Sequence, residues 1–160
     1  MSKLDFFGAG PKIGKIALPW LALSIIISLF FRGKFNYIQP GGRGLYIAGA
    51  SCVAAGLIMY FSTLPLLLKG LKETRLVTNG AFYLCCNPLY TSIILFLIPG
   101  TSLLMNSWLV LTSSIAGYVA FKMYVGDEIG EMRKFFGKDY EKYRKETPEF
   151  FPVPFRKIFR

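Results

Sequence analysis

Asn87, Tyr90, Asp127 and Glu128 are the residues of this chain whose types and spacing can do chemistry. An amide, a phenol and two carboxylates offer hydrogen-bond donors, acceptors and negative charge. Histidine is absent from the whole chain, which excludes histidine metal ligands, histidine general bases and a Ser-His-Asp triad. Each of the four residues sits in a polar motif. The first motif runs Leu76-Val77-Thr78-Asn79-Gly80 and on to Asn87-Pro88-Leu89-Tyr90. The second runs from Asp127-Glu128 through Phe136-Gly137, Tyr140 and Tyr143 to Pro148. The sequence between them is almost entirely apolar.

The elements that must position these motifs are membrane spans. Of the 160 residues, 53% are hydrophobic and 18% charged, with a mean hydropathy of +0.44. Soluble domains carry about 25% charge, and here the apolar residues fall in long blocks. The expected fold is all-α: an integral membrane protein of about four transmembrane helices with a C-terminal amphipathic helical tail. A single membrane-embedded domain is expected over residues 1–160, with an N-terminal helix pair at 16–68 and the site hairpin and tail at 76–152.

The first span is expected from Ile16 to Phe31, with Pro19 tolerated in its first turn. A loop follows from Arg32 to Gly44, turning at Gln39-Pro40-Gly41-Gly42. The second span is expected from Leu45 to Leu68; its small residues, among them Gly49, Ala50, Ala54 and Gly56, let helices approach closely. Lys69–Cys86 reads as a polar loop. The third span starts at Asn87-Pro88 and ends near Leu104, with Pro99-Gly100 expected to kink or interrupt it. Met105-Asn106-Ser107 is a tight turn, and the fourth span covers Trp108 to Val125. From Asp127 apolar residues recur at helical steps between charges, with a break at Gly137 and an end at Pro148 and Pro152.

The net charge of +10 fits anionic headgroups better than nucleic acid, because the cations lie between and after the apolar blocks. Lys3, Lys12, Lys15, Lys69, Lys72, Arg75 and the basic tail outnumber Arg32, Lys34 and Arg43 on the other side. The positive-inside rule then predicts cytoplasmic termini and a cytoplasmic central loop. Adjacent Cys85 and Cys86 suit neither a disulfide framework nor C-x-x-C metal spacing; a juxtamembrane pair is also open to palmitoylation. No metal site is expected. Gly8-Ala9-Gly10 and Gly42-Arg43-Gly44 are G-x-G strings that follow no strand and read as turn and linker residues.

The hairpin arms are nearly equal. From the turn at Asn106 back to Pro88 and on to Val125 each spans roughly 27–28 Å at about 1.5 Å per residue, close to the hydrocarbon thickness. Folding them antiparallel returns Asp127 and Glu128 to the level of Asn87 and Tyr90, which at a spacing of three share a helix face. Taken singly, each residue is ordinary at a membrane interface: Tyr is enriched there, Asn before Pro starts helices, and Asp-Glu after a span is solvated. Together at one depth they mark a site.

These stretches resemble the C-terminal half of the membrane-embedded methyltransferases, the isoprenylcysteine carboxyl methyltransferases and their phospholipid methyltransferase relatives. That superfamily has a Leu-Val-Thr-x-Gly-Pro-Tyr…Arg-His-Pro-x-Tyr stretch, an apolar hairpin, then Glu-Glu-x-x-Leu-x-x-x-Phe-Gly-x-x-Tyr-x-x-Tyr…Pro. This chain has Leu76-Val77-Thr78-Asn79-Gly80-Ala81-Phe82, Cys86-Asn87-Pro88-Leu89-Tyr90, then Asp127-Glu128, Met132, Phe136-Gly137, Tyr140, Tyr143 and Pro148. The likeness covers Leu76 to Pro152. It departs at Cys86-Asn87, which stand where the family has Arg-His, and at Ile129, or else the acidic pair is shifted by one.

The resemblance implies S-adenosylmethionine as cofactor at the cytoplasmic end. Glu128, with Asp127, would accept hydrogen bonds from its hydroxyls or amine; Asn87 and Tyr90 would contact its methionyl or adenosyl part. It implies methyl transfer to a lipophilic small molecule or lipidated substrate: an isoprenylcysteine-like carboxylate, a thiol or a lipid headgroup. An ionised carboxylate or thiolate acceptor needs no base, so the missing histidine does not forbid the reaction. No catalytic residue is assigned. The alternative is a catalytically impaired relative acting as a membrane binding or scaffold protein. A reductase is a third reading, since sterol reductases have a similar C-terminal hairpin.

Overall fold

The computed structural model describes residues 8–37 and 42–152. Four helical segments carry the chain across a membrane: α1 (Gly10–Phe30), α2 (Arg43–Glu73), α3 (Pro88–Leu104) and α4 (Trp108–Glu146). A short 3₁₀ turn, Gly80–Tyr83, precedes α3, and no strand occurs among the described residues. α1, α2 and α4 are each long and apolar enough to cross a bilayer; α3 is the shorter apolar helix. The protein is an all-helical integral membrane protein.

The helices stand in a row. The α3–α4 hairpin forms its centre, α1 packs on α4, and α2 packs on α3. Outward-facing side chains are large and apolar, including Leu18, Phe30, Ile47, Ile58, Phe61, Ile115 and Met123, all more than 60% exposed. Such a belt is a lipid contact surface, since a soluble protein rarely leaves so continuous an apolar patch bare.

Lipid tails are as apolar as leucine, so the hydrophobic effect does little to drive these helices together; close packing and buried hydrogen bonds do it instead. Both are present. On the α2–α3 contact Gly49 faces Gly100, and a Cβ at Gly100 would lie 2.7 Å from Val53 Cγ2 and 2.9 Å from its nitrogen. On the α1–α4 contact a polar seam runs along the interface. Trp20 Nε1 donates to Thr112 Oγ1 (3.0 Å), Ser24 and Ser113 share a bond (3.0 Å), and Ser28 and Ser107 another (2.7 Å). At the hairpin turn the Tyr37 hydroxyl bonds Ser102 (2.6 Å), and the Tyr37 N–H donates to Asn106 Oδ1 (3.1 Å).

Several boundaries differ from those read in the sequence. α1 starts at Gly10 rather than Ile16, because Pro11 in its first turn is as good a helix start as Pro19. Pro19 is therefore interior, and its missing N–H leaves the Lys15 carbonyl without the usual helical donor. α2 continues to Glu73, so the polar loop begins with a helical turn that the Lys69–Glu73 pair (3.9 Å) supports. It ends where Thr74 takes a left-handed conformation and the Arg75 N–H caps the Gly70 carbonyl (2.8 Å). The interruption expected at Pro99 lies just before it, as a π-helical stretch over Ser92–Leu97. The wider turn absorbs the hydrogen bond that proline cannot make. α4 runs unbroken past Val125 and Asp127 and kinks at Gly137, the break the sequence indicated (φ 54°, ψ −125°). The turn at Gln39-Pro40-Gly41 and the cations Lys3, Arg156, Lys157 and Arg160 lie outside the described residues.

Candidate functional site

The hairpin does bring its two polar motifs to one level. The Tyr90 hydroxyl, on the first turn of α3, donates to Glu128 Oε2 on α4 at 3.1 Å. Tyr90 is aimed by its ring, which packs on Phe121 one helix away (centroids 5.4 Å apart). Phe121 in turn touches Phe150 and is fully buried, in a cluster with Ala9, Ile13, Ile94 and Val125. The pair thus stands on a packed apolar floor at the end of the membrane helices.

The N-terminal segment supplies a third wall. The Ala9 N–H donates to the same Glu128 oxygen at 3.3 Å. Gly8 lies so close that a Cβ there would sit 2.9 Å from Oε2, and its φ of +46° is one that side-chain-bearing residues rarely adopt. Burial pushes the Glu128 carboxyl up from its ordinary range, while the Ala9 N–H and the Tyr90 hydroxyl oppose that rise by bonding the ionised form. Glu128 Oε1 accepts no hydrogen bond from the described residues, and it is not among their buried unpaired atoms.

Asp127 points elsewhere. Its carboxylate takes the Lys12 ammonium at 2.7 Å on an exposed surface, and the same ammonium lies 5.7 Å from the Tyr124 ring centre. One helical step separates the two acids, so only Glu128 faces the helix row.

Asn87 belongs to a different construction. It is the residue before α3, not part of its first face, and its Nδ2 donates to the Glu149 carbonyl (2.9 Å). The Cys86 N–H donates to the Pro148 carbonyl (2.8 Å) and the Thr91 hydroxyl to the Phe150 carbonyl (2.7 Å). With the Cys86 thiol donating to the Thr147 carbonyl (3.4 Å), four consecutive residues, Thr147 to Phe150, are fastened along the start of α3. The Glu149 carboxylate adds ion pairs to Lys122 and Arg144. The sequence reading of Asn87 and Tyr90 on one face did not anticipate this: proline at 88 puts Asn87 in the non-helical lead-in, where its amide meets the returning tail.

The aromatic residues of the second motif close the loop over α2. Tyr143 donates to the Phe82 carbonyl (2.6 Å), and Phe82, Tyr140 and Tyr143 form a buried cluster against Leu66, Leu67, Leu76 and Val77. Burial holds the Tyr140 phenol up at about 12 and the Cys86 thiol up at about 11, although the Arg144 charge pulls both down. That burial favours the thiol form of Cys86 over the thiolate. Cys85 is wholly buried against Thr91, which closes it to acylation in this state.

Replacing Thr91 by valine keeps the shape and leaves the Phe150 carbonyl without its donor. The expected loss is about 1–2 kcal/mol of stability, read as a lower Tm in detergent together with faster proteolysis between 147 and 152. An unchanged Tm and cleavage rate would show that the tail is held without this bond.

The donors on the acidic pair test its fit to a ligand. An ammonium occupies Asp127, and an N–H and an O–H occupy one oxygen of Glu128. These are the group types that the amine and ribose hydroxyls of S-adenosylmethionine would present, and Glu128 Oε1 is left to meet them. Asn87 commits one amide N–H to the tail and keeps its second N–H and its Oδ1. Sequence reading missed Gly8-Ala9-Gly10: the G-x-G string was visible, but nothing local says that it faces residue 128. Compared with family models, curated proteins and solved structures, the chain matches none.

Proposed function

We propose that the protein binds S-adenosylmethionine at the Tyr90–Glu128 site and transfers methyl groups to a lipophilic or membrane-associated acceptor. The observation that carries this reading is the Tyr90–Glu128 bond across the hairpin, at the end of the membrane helices. Bound there, the cofactor supplies an electrophilic methyl group. The chain's own residues bind and align. Glu128 Oε1 accepts from a hydroxyl or ammonium, and the apolar floor of Phe121 and Phe150 keeps water from beneath; Asp127, paired with Lys12 at the surface, has no part in it. Alignment and desolvation are the main levers for such a transfer, and an anionic acceptor needs no base from this histidine-free site. The acceptor arrives from the bilayer, nucleic acid has no part in the reaction, and the site and both termini face the cytoplasm, on the cation bias of the sequence.

The test is incubation of membranes containing the protein with methyl-labelled S-adenosylmethionine, followed by identification of labelled lipid or lipidated product. A labelled product that is absent with the Glu128→Gln variant supports the reading. No labelled product, together with no thermal stabilisation of the purified protein by S-adenosylmethionine, overturns it.

One observation favours a second reading, a non-catalytic membrane binding protein of the same architecture. Cys86 and Asn87, which stand where the resembling family has Arg-His, are spent on holding the tail. Labelling that appears only after Cys86→Arg and Asn87→His are combined supports this reading; labelling by the unmodified protein removes it.

A further inference from the structure

Glu128 is held by the beginning of the chain. The two donors on its Oε2 come from different elements, the Tyr90 hydroxyl from α3 and the Ala9 N–H from the segment leading into α1. Ala9 is 3% exposed and packs in the cluster that includes Phe121 and Val125, so its N–H is fixed in place. Gly8 has no side chain where one would strike the carboxylate, and Gly10 runs past the Tyr90 hydroxyl with space only for an ordinary contact.

We propose that the Gly8-Ala9-Gly10 turn is a positioning wall of the site: with Tyr90 it pins Glu128 Oε2 and so commits Oε1 to a donor on the ligand. The ligand group this selects is an ammonium or hydroxyl. A carboxylate oxygen already carrying two hydrogen bonds has little capacity left, whereas its partner has both lone pairs open. A carboxylate free to rotate would spend ordering entropy on each binding event; one fixed by a main-chain N–H and a packed phenol does not. The inference rests on the ligand reading above only for the identity of the ligand, not for the fixing of Glu128.

The experiment uses the full chain in detergent, with ¹³C-labelled glutamate and Glu128→Gln to assign the Glu128 side-chain signal. The charged or titratable groups around it are Tyr90 from α3, Lys12 from α1, and Asp127, Glu131 and Tyr140 from α4. Tyr90→Phe removes one donor to the ionised carboxylate, and Gly8→Ala forces the carboxylate from the Ala9 N–H. Both variants are expected to raise the pH at which Glu128 titrates above that of the unmodified protein. Both should weaken S-adenosylhomocysteine binding by about tenfold. Gly44→Ala, whose Cβ would meet nothing within 4 Å, serves as the control and should change neither. Unchanged titration in both variants overturns the proposal, because a merely structural turn would not move that signal only when its donors are removed. Shifted titration with unaltered affinity overturns the assignment of Oε1 to the ligand. Shifted titration in a protein that binds no S-adenosylhomocysteine at all upholds the wall and overturns the cofactor.

Discussion

Glu128→Gln is expected to weaken binding of S-adenosylmethionine and of its demethylated product by about a hundredfold while leaving the fold intact. A glutamine can keep the inner half of the arrangement, because its carbonyl oxygen accepts from Ala9 and Tyr90 as Oε2 does. Its amide nitrogen then stands at the position of Oε1 and offers donors to a ligand that is itself a donor. The variant thereby removes a charge-assisted bond and adds a repulsive contact. Losing one partner of a desolvated, charged hydrogen bond typically costs 2–5 kcal/mol, so affinity should fall on the order of a hundredfold. Isothermal titration in detergent measures the affinity, and thermal unfolding of the same samples should give an unchanged Tm. Wild-type affinity in the variant would remove Glu128 from the site. A large drop in Tm would instead make it a structural residue.

Gly100→Val is the second expected large effect, and it acts on the fold. Gly100 and Gly49 let the α3 and α2 backbones meet, with the Gly100 carbonyl 3.0 Å from where a Cβ of Gly49 would be. A side chain at 100 meets the Val53 main chain at under 3 Å, and main chain cannot rotate away. The helices must separate, and in lipid little but close packing draws them back. Overpacking of this kind costs about 3 kcal/mol. The Tm should fall markedly, whereas Gly44→Ala, at an open position of the facing helix α2, should leave it unchanged. Equal Tm values for the two variants would show that the α2–α3 approach is not what holds this half of the row.

The membrane helices were legible because the signal for them is local and strong. Blocks such as Ile16–Phe31 and Trp108–Val125 need no partner to declare themselves, since a bilayer accepts any long apolar helix. Gly137 showed its kink, and the small residues of α2 showed a close contact, though not that Gly100 would be across from Gly49. Boundaries shifted where two local rules competed. Pro11 and Pro19 are both acceptable helix starts, and the polar residues after Leu68 were as compatible with a further helical turn as with a loop. The return of Asp127 and Glu128 to the level of Tyr90 was also legible, because equal hairpin arms fix a level without any knowledge of packing.

What the sequence determined by itself, then, was an all-helical membrane protein whose two polar motifs return to one end of a hairpin. Only the tertiary structure decided which atoms meet there. It turned Glu128 inward and left Asp127 to Lys12 at the surface, because one residue along a helix is a rotation of about 100°. It gave Asn87 to the returning tail and brought Gly8-Ala9-Gly10 against Glu128, across 119 residues of chain. Composition and periodicity report how each segment meets its solvent. Which segments then meet one another depends on the packing of α1 on α4 and of the tail on α3, and no stretch of chain carries that information alone.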